Sequence, residues 1–408
     1  MSEWPVVRFE DLAAREKSAI SKPYGSAFTA KDYVDVGVPM VRGVNLGTGR
    51  FADDNFVYIS DSKANQIPGA NLQGGDLVFT HRGVIGQVAM VPRSPRFPRY
   101  VLSTSQVKAR LDSNLALPEF YLYWFLSPAG QRALLSRIST VGVPGLAQPV
   151  ATIKATRVPH PPMKVQRSIT DVLGSLDEKI AVNDRVASMA DALTVSLFQI
   201  WVQREELSTT SLREVATVVL GGTPDRSVPE YWTSGTVNWV NSGSANLLRI
   251  MKPSARITEL ALQKSAAKMM PQGATVLAIT GATLGQVSRL EIASSGNQSL
   301  VGAWVDNPAL NDWLYFWVRQ NIGDLTRHAT GGAQQHINKG VVESMTVALP
   351  SSDVLGSWHE AVRPLMDTIA ETLRENATLA ELRNTLLPEL MSGRLRIKDA
   401  EKVVEEAV

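Results

Sequence analysis

Reading the edge of a base takes side chains that pair donors with acceptors: arginine against guanine, asparagine or glutamine against adenine, serine or threonine against either. Side chains of these types gather in polar, glycine-punctuated segments of this chain. In the first half they are Arg42, Asn45, His81, Arg82, Ser105 and Gln106, with Arg93, Arg96 and Arg99 suited to phosphate contacts that position without specifying. In the second half the comparable set is Asn241, Ser242, Thr280, Thr283, Asn297, Gln298, Gln334, Gln335, His336, Asn338 and Lys339, where Gly331-Gly332 marks a flexible loop. Each residue taken singly reads more readily as an exposed polar group without a role. Only the set carries weight.

Bond-making chemistry finds less support. There is no cysteine, which removes disulfides, thiol nucleophiles and thiolate zinc sites together. His328 and His336 have no carboxylates clustered near them, so neither a metal nor any other cofactor is expected. An adenine methyltransferase would carry an Asn- or Asp-Pro-Pro-Tyr or Phe element to hold a flipped base, and none is present. A Gly-x-x-x-x-Gly-Lys-Ser or Thr phosphate loop is missing too, which argues against an ATP-driven motor. Pro224-Asp225 precedes Glu230, but the lysine that a nuclease element would place two residues further on is absent, leaving a turn before a strand. Tyr123-Trp124-Phe125 and Tyr315-Phe316-Trp317 could stack on extruded bases, yet their helical setting favours core packing.

The chain has 408 residues, 44% hydrophobic and 20% charged, enough for two or three compact cores. Its net charge is only +2, but the charge is segregated. Residues 77–170 hold twelve lysines and arginines against two acids, whereas 171–206 hold seven acids against three bases and 351–408 eleven against seven. A basic region between acidic ones suits a polyanion at the first and another partner at the others. No run of about 18 uncharged apolar residues occurs, and the opening residues lack a basic segment followed by an apolar run. A soluble, non-exported, cytoplasmic protein with no membrane partner is expected.

These residues are positioned by a repeated unit. Without a gap, residues 73–88 (QGGDLVFTHRGVIGQV) match 272–287 (QGATVLAITGATLGQV) at an offset of 199. The aromatic runs 121–126 and 313–318 follow at 192, Gln148-Pro149-Val150 and Gln335-His336-Ile337 at 187, and residues 158–161 and 347–350 at 189. Preserved order with small drifts in offset indicates one unit present twice, with loops absorbing the differences. Each unit opens with short Val, Ile, Leu and Phe runs and one aromatic helix, near 118–137 or 309–322, which describes a small α/β domain. It closes with a long helix after Pro159, Pro161 and Pro162, or after Pro350.

The two long helices carry matching seams. Leu173, Leu176, Ile180, Asn183, Ala187, Ala190, Thr194, Leu197 and Trp201 recur at spacings of three and four, as do Val362, Leu365, Ile369, Thr372, Asn376, Leu379 and Leu386, with Arg383 interrupting. Such seams bury one another most economically as an antiparallel coiled coil whose register Asn183 and Asn376 fix. The alternative is two helices packed separately, each on its own domain. About 38 residues at roughly 1.5 Å each span on the order of 55 Å, enough to hold two reading heads about a turn of duplex apart. The expected fold is therefore α+β, with two α/β domains in tandem at 1–160 and 206–350 and long helices at 161–205 and 351–408.

The order of domain, helix, domain, helix resembles the specificity subunits of type I restriction-modification enzymes. So do Gly221-Gly222-Thr223-Pro224, Pro229-Glu230-Tyr231-Trp232 and Val237-Asn238-Trp239-Val240, which are similar to the start of that family's target recognition domains, and residues 386–395 (LLPELMSGRL), which are similar to the close of its distal helix. Lys22-Pro23-Tyr24-Gly25 departs from the pattern in the first unit. The resemblance implies that each domain reads one half of a split, asymmetric site in double-stranded DNA and that helix length sets the gap. It further implies that two copies of a modification subunit dock on the helices and methylate adenine, and that a motor-nuclease restriction subunit completes the enzyme. The rival readings are a self-contained DNA-modifying enzyme and a protein-interaction scaffold.

Overall fold

The computed structural model describes all residues except 1–3, 26, 48, 140–144, 328, 330–334 and 408. The chain forms two compact units, residues 1–179 with 379–408, and residues 180–378. Both long helices pass from one unit to the other.

In the first unit one sheet has the strand order Ile20–Ser21, Gln106–Ala109, Leu77–Thr80, Val88–Met90. A second runs Tyr33–Val34, Val57–Ile59, Val38–Val41, Tyr100–Leu102, Asn71–Leu72. Leu77–Thr80 and Val38–Val41 are buried at every position, as expected of strands covered on both faces. The second unit repeats the plan. Thr217–Leu220, Leu300–Trp304, Thr275–Ala278, Val287–Leu290 and Arg249–Ile250 form one sheet, and Ala255–Ile257, Val237–Val240, Ser294–Gly296 and Met269–Met270 the other. In both units the second sheet contains one parallel pair at the same place, Met40 opposite Val101 and Trp239 opposite Ser295.

Strand register corrects the ungapped alignment of 73–88 with 272–287. Leu77 faces Met90, whereas Thr275 faces Arg289. The outgoing strands therefore correspond at an offset of 198 and the returning ones at 199. The hairpin loop, closed by Thr80 N–H to Gln87 O at 2.9 Å in one unit and Ala278 N–H to Gln286 O at 2.9 Å in the other, is one residue longer in the second unit. A one-residue slip within a strand would exchange the side chains of its two faces, so the extra residue goes into the loop.

The aromatic helix differs between units. In the first it is broken into Pro118–Leu126 and Pro128–Leu135, and in the second Pro308–Thr326 is continuous. Pro128 has no N–H to give to the preceding turn and holds Ser127 extended (φ −68°, ψ 157°), and the Ser127 hydroxyl then caps the Gly130 N–H at 3.2 Å. Tyr121, Phe125, Trp313, Tyr315 and Phe316 are fully buried and Tyr123 and Trp124 nearly so, which makes these aromatics core rather than stacking platforms.

The long helices are Met163–Arg204 and Ser352–Met391, and they pack antiparallel. Leu173, Leu176, Ile180, Asn183, Ala187, Ala190, Thr194, Val362, Ile369, Asn376, Leu379 and Leu386 are buried, while Leu365 and Thr372 are half-buried. Toward the end of the first helix the stripe shifts: Leu197 and Trp201 are half-buried and Phe198 is fully enclosed, 4.6 Å from Trp313 and 5.9 Å from Trp358 between ring centres. The helix there buries itself against the domain's aromatic helix as well as against its helical partner. Arg383, the seam's interruption, donates to Asp177 at 2.5 Å, and the other oxygen of Asp177 accepts from the Tyr123 hydroxyl at 2.6 Å. Burial and the Asp177 carboxylate push the Tyr123 phenol well above its ordinary value.

Glycines in helices separate two effects. A Cβ at Gly174 or Gly356 would meet nothing within 4 Å. At Gly130 it would lie 2.7 Å from Phe125 Cα. Gly174→Ala and Gly356→Ala are each expected to stabilise by about 0.5–1 kcal/mol in chemical denaturation, through the lost freedom of the unfolded chain. Gly130→Ala is expected to destabilise by about 1–3 kcal/mol through overpacking, and a gain there would contradict the packing described.

Candidate nucleic-acid interface

At one edge of each domain, strand ends and loops are tied by the same main-chain bonds. In the first, Ser103 N–H donates to Val41 O, His81 N–H to Ser105 O and Leu146 N–H to His81 O, each at 2.9 Å, and Arg82 bridges to Gly145. In the second, Asn297 N–H donates to Val240 O at 3.0 Å, Ile279 N–H to Ser299 O at 2.9 Å and Ile337 N–H to Ile279 O at 3.0 Å, and Thr280 bridges to His336. Arg42 and Arg82 thus occupy the places of Asn241 and Thr280. Gln335 joins the second edge through its carbonyl, which accepts from Gly281 N–H at 2.9 Å.

The glycines that open the second domain are required by close approach. A Cβ at Gly221 would lie 2.6 Å from Gly296 O, and one at Gly222 2.5 Å from Ala266 O. Gly222 N–H donates to Gly296 O at 2.7 Å, its carbonyl accepts from Trp239 Nε1 at 3.2 Å, and Thr223 bonds Gln298 through its hydroxyl. Gly221-Gly222-Thr223-Pro224 is therefore clamped across the strand that delivers Asn297 and Gln298. In the first domain Tyr24 is 85% exposed and a Cβ at Gly25 would meet nothing within 4 Å, so Lys22–Gly25 forms no such clamp.

The sequence matches the model of the type I restriction modification DNA specificity domain twice, over residues 1–187 and 204–372. The chain belongs to that family. Among its relatives, the type I restriction enzyme MjaIX specificity subunit of Methanocaldococcus jannaschii is 22% identical, the alignment covering 97% of this chain and 94% of that protein. The HindI specificity subunit of Haemophilus influenzae is 18% identical over 86% of this chain and 94% of its own length. The crystal structure of a type I restriction-modification S subunit from M. genitalium shares the fold, with a TM-score of 0.55 and 13% identity across 95% of this chain and 96% of that one.

Within this specificity-domain fold the sequence-derived residues sort into three groups. Arg82, Asn241, Gln298, Gln335, His336 and Asn338 are exposed at or beside the two edges, with Ser105, Ser242, Thr280, Thr283, Asn297 and Lys339 half-buried there. Lys339 pairs with Glu343 at 3.0 Å and Asn338 caps the following helix by accepting from Val341 N–H at 3.0 Å. A second group is tied into the fold by hydrogen bonds of its own. Asn45 is fully buried: its Oδ1 accepts from Arg42 N–H at 2.9 Å, and its Nδ2 donates to Asp54 O at 2.7 Å and Ala52 O at 3.2 Å. Gln106 is 1% exposed inside its strand, bonded to the Ser103 hydroxyl. Arg42 is half-buried and gives one N–H to Asn55 O at 3.0 Å. In the third group, the arginines read as phosphate contacts, Arg93 grips Glu119 at 2.5 and 2.8 Å and Arg99 binds Asn65 at 2.7 Å and Asp61 at 3.0 Å. Arg96 lies over the Phe97 ring at 5.3 Å. Gln334, His328 and Gly331-Gly332 lie outside the described residues. Among the described residues no group of three or more His, Asp or Glu is arranged to hold a metal ion, and no helix is long and apolar enough to cross a membrane.

His81 sits at the first edge with its ring on Thr104 O at 3.0 Å, and burial lowers its pKa below the ordinary 6.5. The folded domain therefore holds this proton less firmly than the unfolded chain does, and the resulting stability is complete above pH 6.5 and is lost as pH falls through the folded value. Thermal unfolding at pH 7.5 and 5.5 should show a smaller acid loss for His81→Gln than for the unaltered chain. Equal losses would show that the His81 proton is not coupled to folding.

Proposed function

We propose that this chain is the DNA-specificity subunit of a type I restriction-modification enzyme. Its domains at 1–160 and 206–350 each read one half of a bipartite, asymmetric site, and the helical segments 161–205 and 351–408 hold the gap between halves. The observation that carries this is the double match of one DNA specificity domain model, once to each structural repeat, over a chain whose relatives are specificity subunits along nearly their whole length. The exposed polar edge in each repeat supplies the donors and acceptors that base reading needs, and the segregated basic charge of 77–170 supplies attraction to phosphate.

Catalysis belongs to partners. Two copies of an adenine-methylating modification subunit bind one copy of this chain, and a restriction subunit joins them for cleavage, in the cytoplasm. Support comes from the sequence, which carries no base-flipping methyltransferase element and no phosphate loop. Co-expression with a candidate modification subunit should give a complex of one to two. The purified chain, incubated with DNA, methyl donor, magnesium and ATP, should neither methylate nor cut.

Half-site reading gives a sharper test. Sequencing methylated positions in cells carrying the system yields the two half-motifs. Arg82→Ala should relax or abolish recognition in the half-site of the first domain only, and Gln298→Ala in that of the second only, each by about 1–3 kcal/mol at one base pair. A motif unchanged by both substitutions would remove these two residues from the reading surface.

A further inference from the structure

The second domain presents one arginine unlike the others near its edge. Arg226 follows the clamped Gly221–Pro224 segment and is exposed. Its guanidinium lies over the Trp232 ring at 4.4 Å and is 5.7 Å from the Trp239 ring. The two indoles meet edge to face at 5.3 Å. Each is itself fixed, Trp239 Nε1 donating to Gly222 O and Trp232 Nε1 to Asp225 O, both at 3.2 Å. The neighbouring Asp225 carboxylate is taken by the Ser227 N–H at 2.8 Å and the Ser227 hydroxyl at 2.7 Å, which lowers its pKa, and it does not reach Arg226.

Three arginines of this domain are instead engaged inside the protein. Arg319 grips Asp191 at 2.6 and 2.7 Å, Arg289 binds Glu291 at 3.0 Å and Asp312 at 2.9 Å, and Arg249 is buried against Tyr315 at 2.6 Å. Arg226 has no hydrogen bond or ion pair among the described residues. Stacking on an indole restrains a guanidinium without consuming any N–H, so its donor edge stays open and its side chain has less freedom to lose on binding. The clamp ties the segment just before it to the edge, since Thr223 bonds the Gln298 side chain and Gly222 N–H holds Gly296 O.

We propose that Arg226 is a specificity-determining residue that reads a guanine in the major groove of the half-site recognised by the second domain. Two parallel N–H donors in the guanidinium plane match the O6 and N7 acceptors of guanine, a pattern that no other base offers in that groove. The Trp232 face holds that plane in position before DNA arrives. This inference rests on the function proposed above.

The test is selection of bound duplexes from a randomised library by the full chain co-purified with its modification subunit, at two salt concentrations. The unaltered complex should enrich a bipartite motif with a guanine in the second-domain half-site. Arg226→Lys, which keeps the charge but not the paired edge, should lower the preference at that one position about tenfold to a hundredfold. The first half-site and the salt dependence should stay unchanged, with tryptophan fluorescence reporting an intact domain. Retained preference in Arg226→Lys would overturn the proposal. So would a uniform loss across all sequences in Arg226→Ala with a shallower salt dependence, because that marks a phosphate contact. If the unaltered complex selects no motif at all, the functional reading itself fails, and not merely the part given to Arg226.

Discussion

Each recognition domain begins and ends on one short antiparallel ladder, and the rest of the molecule depends on that closure. Val6–Arg8 pairs with Arg157–Pro159, and Ser208–Ser211 with Thr346–Leu349. Flanking main-chain bonds lengthen the ladders, Phe9 N–H to Thr156 O and His160 N–H to Pro5 O at 2.8 Å, and Leu212 N–H to Met345 O at 2.9 Å. An excursion of well over a hundred residues is thereby tied at its base, and the entropic cost of that closure grows only slowly with loop length. The long helix starts within a few residues of each tie, at Met163 and at Ser352. The aromatic helix reaches the exiting strand from the other side, through the Tyr121 hydroxyl on Pro159 O at 3.2 Å and Trp313 Nε1 on Ala348 O at 2.8 Å. Ladder, aromatic helix and long helix thus lock together in each repeat, which is why so many aromatics are buried there.

Between the helices, polar positions set the register. Asn183 donates to Glu375 and Asn376 to Asp184, both at 2.7 Å, and Asn376 also approaches Ile180 O at 3.4 Å. Residues 183 and 184 of one helix meet 375 and 376 of the other in a reciprocal exchange, as expected of antiparallel segments descended from one repeat. A shift of either helix by one turn would part both asparagine amides from these acceptors in a half-buried seam, and leaving a buried amide unpaired costs more than its bond contributes. Each asparagine meets a carboxylate one position from its counterpart on the other helix, and not the counterpart itself.

Much of this was legible in the sequence. Repeat order, the paired helices and the core role of the aromatic runs follow from periodicity, because burial demands it and loops absorb the rest. What escaped depends on main-chain groups distant in sequence. Asn45 looks like a loop amide, but the carbonyls of Ala52 and Asp54 fold back onto it. Gln106 lies between alternating residues of a strand whose both faces are covered, which its neighbours do not announce. The seam alternates faultlessly at Leu197, but the domain's aromatic helix draws Phe198 inward instead. Arg93 and Arg99 read as phosphate ligands because Glu119 and Asp61 lie tens of residues away in sequence. Arg226 shows itself only once Trp232 and Trp239 are seen beneath it, although the tryptophans in 229–240 were a signal that a flat cation could lie nearby.

The two edges share a framework and differ in what they display. The bonds joining Val41 to Ser103 and Val240 to Asn297, or His81 to Ser105 and Ile279 to Ser299, are made by main-chain N–H and C=O groups alone. Such bonds do not depend on which side chain the residue carries. Positions 42 and 82 can therefore hold arginine where 241 and 280 hold asparagine and threonine, with the strand ends in the same pairing. A fold built this way separates the cost of being folded from the choice of exposed donors and acceptors, so displayed chemistry can change residue by residue while the scaffold stands. The second domain adds rigidity through glycine clamping and indole stacking, devices that the open Lys22–Gly25 segment of the first domain lacks. Two copies of one scaffold within a single chain can accordingly present different surfaces, and that is the physical requirement for reading an asymmetric site.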